Sequence, residues 1–174
     1  MPATFNDHFA ALNPRTPALF PREAADGTLS NTILSADLFP GKSGEWVEIC
    51  RAGLLLWNDD LDRAHPIVQD IETSTGSFWH AIIHRREGDF SNARYWWART
   101  GAHPVFDEIC DLVLHRIADF PFLDELRATG DWEPVAFTDF CQKAKRNGEH
   151  AAALAEVQRL EMRVLLEWCA SQVK

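Results

Sequence analysis

Tyrosine and lysine are scarce in this chain, and paired cysteine motifs are missing. Its 174 residues include one Tyr against seven Trp, and 13 of its 17 cations are Arg. Cys50, Cys110, Cys141 and Cys169 stand far apart with no C-x-x-C pair, so neither a zinc knuckle nor a dithiol motif is written. They read as small buried hydrophobes in a reducing compartment. No apolar run approaches the ~20 residues that a membrane span needs. The first residues carry an acid and prolines where a signal peptide has a basic region and an apolar run. A cytoplasmic protein without membrane contact is expected. Also missing are G-x-G-x-x-G and Walker A loops, a G-x-S-x-G elbow and H-E-x-x-H. Cys110 and His115 are five apart, off-face on a helix, which leaves nucleophilic catalysis little support.

The acids outnumber the bases 26 to 17, a net charge of −9, which argues against a nucleic-acid partner. The length is that of one ordinary domain with a real core.

No segment alternates with period two, and apolar residues recur at helical spacing. The fold class expected is all-α: a compact single domain of about seven helices, built with helical hairpins and an irregular N-terminal strap. Residues 1–42 form that strap, which holds five of the nine prolines and packs on the domain through Phe5, Phe9, Leu12, Leu19, Phe20, Leu34, Leu38 and Phe39. One short helix is expected within it, at 4–12. Residues 43–174 form the helical domain. Ser43 is the expected cap of its first helix, whose apolar face is Trp46, Ile49, Cys50, Gly53, Leu54 and Trp57. Further helices are expected at 61–69, 77–87 (capped by Ser77) and 90–100 (capped by Asp89, stopped by Gly101). Another runs from Pro104 to Phe120 before Pro121, followed by a short one at 123–128. The last two run from Asp131 to about Lys145 and from Glu149 almost to the end, the final one with Leu154, Val157, Leu160, Val164, Leu165, Trp168 and Cys169 as its stripe.

Two stretches echo each other at an offset of 29: A-G-L-L-L-W-N-D-D-L-D-R-A-H from Ala52 and A-I-I-H-R-R-E-G-D-F-S-N-A-R from Ala81. Asp60 matches Asp89, Leu61 matches Phe90 and Ala64 matches Ala93: an acidic cap, a hydrophobe that staples the turn, and a small residue where helices approach. With Trp79, Trp97 and Pro104, this resembles tetratricopeptide-type hairpins over residues 45–105, although the period is shorter than their ~34. The run W-H-A-I-I-H-R-R-E-G-D-F-S-N-A-R-Y-W-W-A-R-T-G-A-H-P-V-F from Trp79 to Phe106 is also similar to the signature of an uncharacterised bacterial family. E-M-R-V-L-L-E-W-C from Glu161 fits that family's C-terminal pattern. This resemblance implies membership over residues 50–170 and no particular activity.

Chemistry-bearing residues concentrate in residues 65–106, which hold four of the seven His, three of the seven Trp and the single Tyr. His80 and His84 are one helical turn apart, with Glu87 following on the same side. Three readings stand. The first is a polar pocket for a small anionic ligand, lined by His80, His84, Arg85, Glu87, Arg94 and Tyr95. Trp79, Trp96 and Trp97 would form its walls, and His84 and Glu87 are its candidates for catalysis. The second is a protein-interaction or homodimerisation module. The third is a divalent metal site with His80, His84, His65 and His103 as candidate ligands and Glu87 nearby. Against the first, Arg85, Arg86 and Arg94 can be spent on internal pairing with Glu87, Asp89 or the Asp59-Asp60-Asp62 group.

Overall fold

The computed structural model describes residues 3–116 and 131–174. Among these the chain is all-helical, without strands. Nine helices are described where about seven were expected: α1 (Phe5–Leu12), α2 (Gly27–Ser35), α3 (Glu45–Trp57), α4 (Leu61–Gln69), α5 (Ser74–Glu87), α6 (Phe90–Thr100), α7 (Phe106–Arg116), α8 (Pro134–Asn147) and α9 (Ala151–Ser171). The short helix expected at 123–128, with Ile117 and Phe120, lies outside the described residues. No helix among the described residues is long and apolar enough to cross a membrane.

Local signals explain most boundaries. Asp60 and Asp89, the paired acids of the sequence echo, cap α4 and α6 by accepting the backbone N–H of Arg63 (3.3 Å) and Asn92 (3.1 Å). Gly88 ends α5 in the left-handed region at φ 87°, where glycine carries no steric penalty. Leu61 and Phe90 are both buried, and Ala64 and Ala93 have no exposed surface.

Other boundaries differ from the expectation. α2 lies inside the strap, started by Asp26, which accepts from Thr28 and Leu29 N–H. Gly44, not Ser43, stands at the start of α3, at φ 112°. α5 begins at Ser74 because Thr73, not Ser77, accepts the Gly76 N–H. Gly76 is therefore inside the helix, not a break. A Cβ there would sit 2.2 Å from the Ile71 carbonyl oxygen, so the close approach of the incoming chain requires glycine. α7, α8 and α9 start at Phe106, Pro134 and Ala151, each two to three residues later than expected. Pro134 at the first turn of α8 loses no intrahelical bond.

The core is organised around α5. It packs on α3, α4 and α6, and residues 75–86 of it are all buried. α9 closes the other side against α3, α7 and α8. The strap seals the remaining face through buried Phe5, Leu12, Leu19, Ile33 and Leu38. Its anchor is the corner after α3. Asn58 donates to the Asp26 carbonyl (2.6 Å) and Ser30 Oγ (2.9 Å), and its carbonyl accepts Ala25 N–H (2.9 Å). Asp59, left-handed at φ 62°, accepts Ala18 N–H (3.0 Å) and pairs with Arg15 and Arg86.

Two outcomes follow for stability. Ala93→Leu overpacks the α5–α6 contact and costs about 1–3 kcal/mol in urea unfolding; an unchanged midpoint would mean the contact is loose. Asp59→Ala leaves the Arg86 charge buried without its partner. It costs more, about 3–5 kcal/mol by the same measurement, and loosens the strap to limited proteolysis.

Candidate metal centre

Successive residues of a helix point about 100° apart, so His84, Arg85 and Arg86 leave α5 in three directions. Arg85, fully buried, forms a forked ion pair with Glu161 of α9, also fully buried, and lies 4.6 Å from the Phe137 ring centre. Burial alone would lower its pKa, but the Glu161 charge reverses that and holds it above the ordinary value. Arg86 donates to the Leu56 and Ala18 carbonyls and to Asp59. Burial outweighs Asp59 here and brings its pKa down to about 10, which leaves it charged at neutral pH. The third direction, taken by His84, leads to α4 and α6.

There three imidazoles meet. His80 and His84 of α5 are stacked with ring centres 5.0 Å apart, and His65 of α4 sits edge-on to both, at 4.7 and 5.1 Å. One ring nitrogen from each of the three lies within 4.8 Å of the other two. His65 Nε2 and His80 Nε2 are 2.7 Å apart, a distance that requires one to donate to the other.

Glu87 supplies the orienting carboxylate. Its Oε2 is 2.8 Å from His84 Nδ1, and its Oε1 is 3.9 Å from His65 Nδ1. Asn92 of α6 donates its amide to His84 Nε2 at 3.1 Å. With Glu87 accepting at Nδ1 and Asn92 donating at Nε2, the His84 proton sits on Nδ1 and the Nε2 lone pair is turned to the Asn92 amide. A carboxylate behind the imidazole is the arrangement that fixes ring orientation in histidine metal sites.

Burial sets the protonation state. His80, 3% exposed, is pushed down to about 4, by desolvation first and by the other two histidines second. His65 is lowered by burial, partly opposed by Glu87. Both are neutral near pH 7, as metal coordination demands. His80 Nδ1 is buried without a hydrogen-bond partner, and the ring lies against Trp96 of α6 with centres 3.9 Å apart.

Of the residues singled out from sequence, His65, His80, His84 and Glu87 come together. The rest do not join them. His103 is buried elsewhere, packed against Phe78, Phe106 and Trp168; it accepts Val105 N–H at Nδ1 and donates from Nε2 to Thr75 Oγ1 (3.1 Å). Arg85 is consumed by Glu161. Arg94 binds Asp139 and Gln142 of α8, with the Phe90 carbonyl as a third acceptor. Tyr95 is 56% exposed and touches Trp96. Asn92 is the participant that sequence reasoning missed: it stands eight residues from His84 across a turn, and only its place one helical turn beyond the Asp89 cap hints at it. Glu87 also lines a cleft of about 110 Å³ with Glu23, Asp59, Asp60, Asp62 and Arg22, a mostly acidic wall.

No protein-family model, curated protein or solved structure matches the chain.

His103 gives a pH prediction independent of the trio. Burial lowers it to about 4, so the unfolded chain takes up a proton near 6.5 while the folded one resists. Stability present above pH 6.5 is lost as pH falls from 6.5 toward 4. The melting temperature falls over that window, with His80 acting in the same direction, and His103→Gln makes the fall shallower. An unchanged slope in the variant would show that His103 is already protonated or solvated in the fold.

Proposed function

We propose that the protein is a metalloprotein that binds one divalent transition ion through His65, His80 and His84 and keeps a coordination position open for a ligand or for catalysis. One observation carries this: three imidazoles from two helices present nitrogens within 4.8 Å of one another, with a single carboxylate behind two of the rings. Tetrahedral Zn–N bonds of ~2.0–2.1 Å put ligating nitrogens about 3.3 Å apart. The His65–His80 pair opens by a few tenths of an ångström to meet that spacing, and the widest pair closes. Three neutral nitrogen donors suit Zn2+ and its later first-row neighbours, not Mg2+ or Ca2+. Three protein ligands are also the count that leaves a fourth position free. The acidic cleft at Glu87 and the net charge of −9 raise the local concentration of cations on the approach to the site. Arg85 and Arg94 play no part in this site, since carboxylates already hold them.

A second reading rests on the repeated cap, staple and alanine of α4 and α6: a tetratricopeptide-like interaction module, with a protein partner or a second copy on the exposed side of α6. Capture of a partner that survives removal of all three histidines would favour it.

The metal reading is tested by calorimetry and elemental analysis with Zn2+. One equivalent binds at neutral pH and binding weakens as pH falls. His80→Ala and His84→Ala each abolish it, and Glu87→Gln weakens it by about 10–100-fold. Absence of binding in the folded wild type, or binding indifferent to both histidine variants, would refute the assignment.

A further inference from the structure

α6 brings more than Asn92 to the histidines. Asn92, Tyr95, Trp96 and Arg99 follow the i, i+3, i+4, i+7 spacing of a single helical stripe. The stripe's first residue donates to His84 Nε2, and its third lies face to face with His80. Its last, the exposed Arg99, places its guanidinium 5.4 Å from the Trp96 ring centre and 5.9 Å from that of Tyr95. A hydrogen-bond donor, an apolar wall and a cation therefore run in order along one stripe of α6, the first two of them against the imidazoles.

Resting on the metal reading above, we propose that the open position of the His65–His80–His84 ion takes a small anion of the carboxylate or oxyanion class, which the Asn92 amide and Arg99 select. The argument is one of charge and donor count. Three neutral imidazoles leave the ion's double positive charge uncancelled at the first coordination sphere. Glu87 is taken up at His84 Nδ1, across the ring from Nε2, and so does not fill the vacant position. When His84 Nε2 turns its lone pair to the ion, the Asn92 amide loses its acceptor there. That amide donor is then free for another acceptor beside the ion, and an anionic oxygen bound to the metal is one within its reach. Trp96 against His80 excludes water from one wall, which strengthens both attractions. Arg99 at the outer end of the stripe supplies the long-range pull for the anion. Glu87, which accepts at His84 Nδ1, also lines the acidic cleft, whereas Asn92 and Arg99 belong to α6.

Co2+ and azide provide the test on the intact chain, with azide standing for the small anion and acetate as its carboxylate counterpart. Co2+ in a site of three histidines gives visible absorption that reports its coordination. Azide and acetate titrations shift this spectrum in the wild type. Asn92→Ala and Asn92→Asp each raise the apparent Kd of both anions about tenfold, and Arg99→Gln raises it about threefold at low salt with the effect fading as salt increases. Arg99→Gln does not weaken Co2+ binding, since the change removes a like charge. Co2+ binding with a spectrum indifferent to both anions overturns the anion site and leaves the metal reading standing. An anion response of equal strength in the Asn92 and Arg99 variants overturns the role of the stripe. Failure of the wild type to bind Co2+ or Zn2+ overturns both.

Discussion

The charge on α5 has nowhere to go but into its neighbours. The helix is buried along residues 75–86, yet that buried stretch ends in three consecutive polar side chains, two of them guanidiniums with no exposed surface. An unpaired buried cation costs several kcal/mol even after the protein relaxes around it. Each must therefore meet a carboxylate in the direction that helical geometry dictates. Arg85 fixes the position of α9 through Glu161, and Arg86 fixes the corner of Asp59. That corner in turn holds the strap through Ala18 and Arg15. Apolar packing supplies most of the driving force, but it has no direction; these two pairs decide which surfaces face each other.

The histidine cluster is the third consequence of the same geometry. With Arg85 and Arg86 committed to α9 and to the strap, His84 and its neighbour one turn back face α4 and α6. Imidazole tolerates that place because it can be neutral there, as a guanidinium cannot. The partially exposed His65 and Glu87 complete the group from its solvent side. His84 and the two arginines of the structural ion pairs thus share one helical turn, and the rigidity of the pairs holds the imidazole in place. Packing and ion pairs that lock the helix carrying the imidazoles keep their arrangement fixed without help from any bound group.

Local signals were legible in the sequence, and long-range pairings were not. The Gly88-Asp89 turn, the Asp60 cap, the Gly101 stop and the buried Ala93 all depend on residues within a few positions of each other. The proximity of His80, His84 and Glu87 follows from helical spacing alone. α2 escaped notice because its Ser, Thr and Asn residues have weak helix propensity and its cap, Asp26, lies in proline-rich text. The start of α5 was misplaced because Gly76 reads as a break when its reason is contact with Ile71. Arg85 looked available for an anion because its partner is 76 residues away, and Arg94 for the same reason at a distance of 45. Periodicity cannot reveal either pair. His103 sat in the same stretch as the true cluster, yet the turn after α6 sends it to a different wall.

The span of these pairs also bears on synthesis. Arg86 finds Asp59, already made, as soon as α5 emerges. Arg85 waits for Glu161, inside the last helix. Without that helix the Arg85 guanidinium has no carboxylate partner, and a dry interior around it would be costly. The strap, α3, α4 and α6 can gather early, but the final dehydration of the core is a late and non-local event. Such contacts slow folding and lengthen the time that apolar surface is exposed. The ion pair between α5 and α9 therefore ties the closing of the interior to the arrival of a helix 76 residues downstream.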